Sequence, residues 1–201
     1  FAYKHATHYF ACGEHAARVM YGNKTLNDGQ IKLMRNAIDV ERFAYDREER
    51  EKMRGRMGLK DKLVLGLVGY FSYRKNQEFL LDVFAVLHKW HPESVLLLVG
   101  DGERRRQIGI KVVEMGLADC VIFTGQVADP APFYQAMDVY CLPSRYEGLG
   151  MTAIEAQAAG LPLLASTAVP REVCVGDACS FHPLSNGPEP WAREVLELSA
   201  N

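Results

Sequence analysis

Two carboxylates eight positions apart, Glu147 and Glu155, form the most specific chemical pattern in this chain. They lie in the segment PSRYEGLGMTAIEAQAAG, which joins a glycine-containing loop to a short Ala-rich helix. Carboxylates accept hydrogen bonds strongly from hydroxyl groups, so a pair this far apart can hold two separate rings of one ligand. In a continuous helix the pair would be roughly 12 Å apart. Hydrolytic carboxylate pairs lie about 5 to 9.5 Å apart, so the spacing disfavours a glycosidase.

The glycines between the two carboxylates predict an anion site. Gly148 and Gly150 allow a tight turn from the apolar run Val139–Leu142 into a helix over Met151–Ala159. The first turn of a helix has unpaired N–H groups and the positive end of the helix dipole, where a diphosphate binds well. A charged centre with hydroxyl groups at both ends is the layout of a nucleoside diphosphate sugar. Taken singly, each glutamate is better explained as a solvated surface residue.

An alternation of strand-like and helix-like stretches begins at Lys62 and predicts the fold that positions these residues. It indicates an α/β domain, with a parallel sheet covered by helices on both faces. Six parallel strands most often take the doubly wound order 3-2-1-4-5-6. The six apolar runs are Leu63–Val68, Val95–Val99, Cys120–Phe123, Val139–Leu142, Leu163–Ala165 and Ala178–Phe181.

The doubly wound order reverses between its first and fourth strands, and ligands bind at the carboxyl ends of the strands at that reversal. The loops at 69–75 and 144–150 both open there, so the acidic, glycine-containing loop lies at the predicted site for a topological reason. Arg74 and Lys75, in the first of these loops, are suited to balancing phosphate charges, and Lys75 is the stronger candidate. That loop has no G-x-G-x-x-G pattern, which weakens a dinucleotide-dehydrogenase alternative.

Other patterns are interpreted as packing or solvation. The helix Gln77–Trp90 carries an apolar stripe that ends at Trp90 and is typical of core. Gly100–Gly102 is predicted to form a tight turn, and Arg104–Arg106 to lie on the solvated start of a helix. The charged helix at 47–56 is interpreted as a solvated face.

Composition narrows the class of protein. A net charge of −2 over 201 residues argues against a nucleic-acid binder, and no apolar run reaches the length of a membrane span. The five cysteines, an odd number, indicate a reduced, cytoplasmic protein. Cys174 and Cys179 lack the spacing of a zinc site and are interpreted as small buried residues. The chain opens at Phe1 without a methionine, as expected of an excised fragment.

The first part of the chain is predicted to be separate from the alternating part. A strand at Thr7–Cys12, a helix at Glu14–Tyr21 broken at Gly22, and a strand at Ile31–Arg35 lead to a hinge at 36–44. Three histidines in this region lie in no recognisable motif and are interpreted as structural: His5, His8 and His15.

Four segments together resemble a known family: NAIDVERF, VGDGERR, FTGQVAD and PSRYEGLGMTAIEAQAAGLP. They are similar to the C-terminal half of a retaining GT-B fold glycosyltransferase of family four, glycosyl transferases group 1, and more narrowly to bacterial exopolysaccharide and capsule enzymes. The last block matches the family's E-x7-E signature. The resemblance implies that residues 1–38 are a remnant of the N-terminal, acceptor domain and that 39–201 form a Rossmann-like, nucleotide-sugar donor-binding domain.

The resemblance also implies a role for each matching residue. Glu147 would hold donor-sugar hydroxyls and Glu155 the ribose hydroxyls, while Lys75 would neutralise the leaving diphosphate. Val127 would meet the base through its backbone. The backbone amides that would bind the diphosphate and sugar belong to Gly148, Leu149, Gly150, Met151 and Thr152. The family usually has Arg where this chain has Tyr70, and Arg74 or a group from the N-terminal domain would have to substitute.

The implied reaction is transfer of a glycosyl group from a nucleoside diphosphate donor, with a UDP-sugar favoured, to an acceptor hydroxyl with retention. This is a hexosyltransferase type of activity in polysaccharide or glycolipid synthesis, and these residues require no metal or cofactor. The partners are the donor and the missing N-terminal domain, through which the enzyme could touch the inner face of the plasma membrane. Alone, the fragment is expected to be inactive. A GT-B nucleotide-sugar epimerase and a non-catalytic nucleotide-binding module remain alternatives.

Overall fold

The structure, a computed structural model, describes residues 6–27 and 30–200. Of the residues predicted to belong to an N-terminal remnant, 1–5, including His5, and 28–29 lie outside this range. The strands are β1 (Tyr9–Ala11), β2 (Ile31–Leu33), β3 (Leu63–Val68), β4 (Ser94–Val99), β5 (Val121–Phe123), β6 (Val139–Leu142), β7 (Leu163–Ser166) and β8 (Cys179–His182). The helices are α1 (Glu14–Asn27), α2 (Val40–Phe43), α3 (Arg47–Met57), α4 (Gln77–Trp90), α5 (Arg105–Glu114), α6 (Ala131–Ala136), α7 (Met151–Ala158) and α8 (Pro188–Ser199).

The six strands β3 to β8 form one parallel sheet in the order β5-β4-β3-β6-β7-β8. This confirms the predicted doubly wound order, because β3 is the first strand of the sheet and lies between the second and the fourth. Its residue Leu65 is opposite Leu96 on one side and Val139 on the other. Strands β4, β6 and β7 are buried along their whole length, as continuous apolar runs predict for a sheet covered on both faces.

Each face of the sheet has its own core. On one face α4 and α8 pack together, with Phe79 edge-on to the fully buried Trp191 at 5.2 Å between ring centroids. The predicted ends of α4 are confirmed. Trp90, which was predicted to end its buried stripe, is 45% exposed and lies under the Arg193 guanidinium. Leu81, outside that stripe, is fully buried because α8 covers a second side of α4.

The described N-terminal residues form a small unit of their own. Strands β1 and β2 pair in parallel, with Tyr9 opposite Ile31, and α1 makes the crossover. Gly22 has a φ of 80° and kinks α1, which continues beyond the predicted break. Glu172 accepts hydrogen bonds from two amides in the first turn of α1 at 3.0 and 3.2 Å and so ties this unit to the large sheet. The domain boundary at residue 38 stays a prediction.

One sequence interpretation of side chains is corrected by the structure. Cys174 and Cys179 were predicted to be small buried thiols, and they form a disulfide across a short exposed loop. The interpretation of the histidines as structural stays a prediction: His8 and His15 are both exposed, and the His8 ring stacks on Phe10 at 6.4 Å between ring centroids. No helix among the described residues is long and apolar enough to cross a membrane.

Helix α3 is attached to the sheet by a cluster of charges, although its sequence predicts a solvated face. Asp46 caps its first turn, and Gly58, with a φ of 67°, ends it. Between these ends Arg50 and Arg54 both donate to the carboxylate of Asp138, at 2.5 and 3.1 Å. The same carboxylate accepts from the amide of Val64 at 2.7 Å, at the start of the central strand. Asp138 therefore joins α3 to β3 just before β6 begins.

We predict that Asp138→Asn lowers the free energy of unfolding by about 2 kcal/mol, because two largely buried guanidinium groups lose their shared negative partner. Urea denaturation followed by circular dichroism measures this change. Glu51→Gln is the matched control, since it removes an exposed pair with Arg47 and should leave the urea midpoint nearly unchanged. Equal midpoints for the two variants would contradict the role of Asp138.

Candidate active site

The loops that follow β3 and β6 are joined to each other at the reversal of strand order. The side-chain amide of Asn76 donates to the carbonyl of Pro143 at 3.1 Å, and the backbone amide of Arg145 donates to the carbonyl of Arg74 at 2.8 Å. Asn76 is in the left-handed region, with a φ of 58°, and precedes the first turn of α4. The two loops thus form one rim of the crevice that the sequence predicts.

A buried carboxylate between two cations lies at the centre of this rim. Glu147 is 6% exposed and accepts from Lys75 at 2.8 Å on one oxygen and from Arg74 at 2.5 Å on the other. The hydroxyl of Ser144 donates to it as well, at 2.9 Å. The predicted convergence of Lys75, Arg74 and Glu147 is therefore present. Two positive charges face one negative charge, so the cluster is suited to binding an anion.

The position of Lys75 is fixed by its surroundings. The residue is 5% exposed, and its stem packs against Gly69, where an added Cβ would lie 3.2 Å from Cε of the lysine. Burial lowers the pKa of the Lys75 ammonium below its ordinary value of 10.5, and the neighbouring Glu147 opposes part of this shift. The ammonium is consequently held in one place and titrates at a lower pH than a solvated lysine does.

The amino end of α7 presents free backbone donors beside this cluster. Gly150 precedes the helix with a φ of 90°, and this left-handed backbone explains the need for glycine at this position. Glycine also supplies no side-chain cap to the helix. Within the described part of the chain, no acceptor is found for the backbone N–H groups of Gly148, Leu149, Gly150, Met151 and Thr152. The predicted tight turn depends on Gly150 alone, because Gly148 is not in the left-handed region. The free amides and the helix dipole both favour an anion here.

The second carboxylate is oriented by a buried tyrosine that the sequence interpretation missed. The hydroxyl of Tyr134, in α6, donates to Oε2 of Glu155 at 2.7 Å and lies 3.2 Å from the carbonyl of Thr152. A second buried phenol, Tyr140 in β6, donates to the Thr152 hydroxyl at 2.8 Å. A tyrosine inside an aliphatic buried run such as Val139–Leu142 is a signal for such contacts, because a buried phenol needs a partner.

A cavity of about 570 Å³ opens beside the two loops, between the ends of β3 and β4 and the loop after β5. It is lined by Gly69, Tyr70 and Val127, among others, so Val127 borders the same crevice as the Lys75 loop. Glu147 and Glu155 are outside this lining. Tyr70, at the position where the resembled family has Arg, is 58% exposed at the cavity wall and adds no positive charge.

The turn after β4 closes the bottom of this cavity by backbone packing. An added Cβ at Gly100 would lie 2.2 Å from the carbonyl oxygen of Gly69, and one at Gly102 would lie 2.5 Å from that of Phe71. The interpretation of these glycines as a packing requirement is confirmed. Arg104 was predicted to be solvated, and the structure corrects this, since its guanidinium pairs with the carboxylate of Glu78 at 2.7 Å. Among the described residues, no group of three His, Cys, Asp or Glu side chains is placed to hold a metal.

The class of protein follows from the fold together with this site. The structure matches Anabaena HepE in complex with UDP-glucose at a TM-score of 0.82 and 23% identity, over 96% of this chain and 54% of that one. It also matches sucrose-phosphate synthase from Thermosynechococcus elongatus at a TM-score of 0.76 and 28% identity, over 96% and 49%. The fold is that of the Rossmann-like C-terminal half of a GT-B glycosyltransferase.

The chain belongs to the glycosyl transferases group 1 family, whose model matches residues 62–201. A relative with which it aligns along nearly its whole length is the putative glycosyltransferase EpsF of Bacillus subtilis. The two are 33% identical over 197 residues, which cover 97% of this chain and 51% of EpsF. The chain thus spans about half the length of this curated relative.

We predict that inorganic pyrophosphate binds this chain more weakly as the pH rises from about 7 to about 10, because the Lys75 ammonium loses its proton below the usual lysine range. Isothermal titration calorimetry across this range measures the affinity. Lys75→Arg is the matched control, since guanidinium stays charged, and the ratio of the two affinities removes the titration of pyrophosphate itself. A ratio that does not change with pH would contradict the role of the Lys75 ammonium in binding the anion.

Proposed function

We propose that this chain binds a nucleoside diphosphate sugar, preferably a UDP-sugar, and that the protein transfers the glycosyl group to an acceptor hydroxyl with retention at the anomeric carbon. The observation that carries the proposal is the buried Glu147 between Lys75 and Arg74, next to the free amides before α7. One crevice thus holds a carboxylate that can accept hydrogen bonds from hydroxyl groups, two cations and a helix N-terminus. These are the groups that a sugar diphosphate requires.

In the proposed complex each group has a distinct task. The amides of residues 148–152 and the dipole of α7 bind the diphosphate, and Lys75 stabilises the negative charge that develops on the diphosphate as the glycosidic bond breaks. Glu147 holds hydroxyls of the transferred sugar, and Glu155 holds those of the ribose. The cavity bordered by Val127 receives the base. Catalysis then comes mainly from charge stabilisation and from the orientation of donor and acceptor.

Arg74 is proposed to take the place of the arginine that the family usually carries at the position of Tyr70. Its guanidinium lies on the same carboxylate as Lys75, and its side chain is 37% exposed, so it can reach a ligand in the crevice. The phenol at position 70 cannot supply this charge. The compensation comes from the same loop, four residues further along the chain.

The preference for a UDP-sugar is supported by the matched HepE structure, and the hexosyltransferase type is supported by two relatives. The matched HepE structure holds UDP-glucose, and a 34% identical relative from Mycolicibacterium smegmatis is named as a GDP-mannose-dependent mannosyltransferase. Both donors are nucleoside diphosphate hexoses, and they differ in their base. A relative from Salmonella typhi, 35% identical over 104 residues, is named as a Vi polysaccharide biosynthesis protein, which supports a role in polysaccharide synthesis. The comparisons do not favour an epimerase or a non-catalytic module.

The acceptor site is proposed to lie in an N-terminal domain of the same polypeptide, of which residues 1–38 are the last part. EpsF is about twice the length of the matched region, which supports a second domain in the protein. We therefore expect the 201-residue chain to bind the donor and to transfer little or no sugar by itself. If the protein contacts the cytoplasmic face of a membrane, that domain is proposed to supply the surface.

We predict that the chain binds UDP with measurable affinity, and more tightly than GDP or ADP, in calorimetric titrations with the three nucleotides. Glu155→Ala should weaken UDP binding by about tenfold, because the ribose hydroxyls lose a charged acceptor. Glu197→Ala, on the remote helix α8, is the matched control and should bind as the unaltered chain does. Failure of all three nucleotides to bind would refute the proposed function.

We predict that Glu147→Gln separates sugar recognition from diphosphate recognition. The variant leaves the charges of Lys75 and Arg74 uncompensated, so UDP should bind about threefold more tightly or better. UDP-glucose should lose any advantage over UDP, because the carboxylate that accepts from the sugar is gone. The two affinities, measured side by side for both proteins, give this comparison, and weaker binding of UDP to the variant would contradict the proposed arrangement.

A further inference from the structure

The side chain of Tyr134 is buried, and packing alone does not require its hydroxyl group. Its ring is fully buried, edge-on to Phe43 at 5.9 Å and tilted against Tyr140 at 5.8 Å between ring centroids. A phenylalanine would fill the same space. The hydroxyl nevertheless extends to the first turns of α7, where it meets Glu155.

The phenol determines which oxygen of Glu155 is available. Tyr134 donates to Oε2 at 2.7 Å, and no other hydrogen-bond donor among the described residues reaches Oε1. Burial raises the pKa of Tyr134 well above its usual value, with Tyr140 and Glu155 adding to the shift, so the phenol stays a proton donor. A neutral donor leaves the negative charge of the carboxylate in place, unlike the two cations that hold Glu147. The lone pairs of Oε1 therefore have no hydrogen-bond donor among the described residues.

The phenol also connects the two parts of the crevice. Helix α6, which carries it, begins directly after the loop that contains Val127, and the carboxylate of Asp129 fixes that beginning by accepting from the amide of Ala131 at 3.1 Å. A continuous path of contacts thus runs from the cavity wall, through α6 and Tyr134, to the carboxylate of Glu155.

From these contacts we infer that Tyr134 is a positioning residue for the nucleoside: its hydroxyl orients Glu155 so that Oε1 accepts from the ribose 2′ and 3′ hydroxyls while the base occupies the cavity beside Val127. The inference rests on the proposed function, since it assumes that the ligand is a nucleoside diphosphate. It adds a residue that never touches the ligand and acts only through Glu155.

The test compares UDP with 2′,3′-dideoxy-UDP, which lacks both ribose hydroxyls, on the unaltered chain and on Tyr134→Phe. We expect Tyr134→Phe to weaken UDP binding by about tenfold and to change dideoxy-UDP binding by less than about twofold. Tyr140→Phe is the matched control, because it removes a buried phenol that contacts Thr152 and not Glu155. Any loss it causes should be equal for the two nucleotides.

Two outcomes would overturn the inference while the proposed function stands. They are an equal loss of both nucleotides in Tyr134→Phe, which marks a structural role only, and an unaltered chain that binds the two nucleotides alike. Binding of neither nucleotide to the unaltered chain would instead overturn the proposed function. A second measurement uses the Glu155→Ala background, in which Tyr134→Phe should have no further effect on UDP affinity. Urea unfolding of each variant shows that the comparison is made on folded protein.

Discussion

The burial of Glu147 between Lys75 and Arg74 is the constraint on which the site depends. A buried carboxylate without partners costs several kcal/mol, so the chain must bring cations to it. Those cations come from a loop more than seventy positions earlier in the sequence, and only the reversal of strand order places the two loops side by side. The charge of the crevice therefore depends on the topology of the sheet.

Much of this arrangement could be predicted from residue types and order. The continuous apolar runs predict a parallel sheet, and the strand order predicts that the loops with Lys75 and Glu147 meet. The direct ion pairs could not be predicted, because a doubly wound order gives the proximity of loops and not the direction of side chains. Tyr134 was missed for a related reason: it contacts Glu155 across 21 positions, and its helix has only six residues and no clear periodicity.

Two of the corrected predictions, both about helices, share a cause. A helix pattern read alone shows which residues are apolar and not what covers them, so α3 was interpreted as solvated although Arg50 and Arg54 reach Asp138. Trp90 was placed in the core by period, although it is 45% exposed at the end of α4, with the Arg193 guanidinium over its ring. The odd number of cysteines argued against a disulfide, but Cys174 and Cys179 form one. They are five positions apart, and the short loop between them contains a glycine. For the two helices the missing information was the neighbouring layer, and for the cysteines it was the path of the loop.

The two glutamates of one motif end in different electrostatic surroundings, and this difference follows from the elements that face them. Glu147 faces the charged loop after β3, so its charge is balanced by Lys75 and Arg74. In the proposed complex, a sugar hydroxyl would compete with these two cations for its oxygens. Glu155 faces α6, whose phenol donates one neutral hydrogen bond and leaves the charge intact. A carboxylate that keeps its charge in a partly buried site accepts from hydroxyls more strongly than one already paired. In the proposed complex, the ligand would therefore be anchored at the Glu155 end, and the compensated cluster at the Glu147 end would rearrange its hydrogen bonds during transfer.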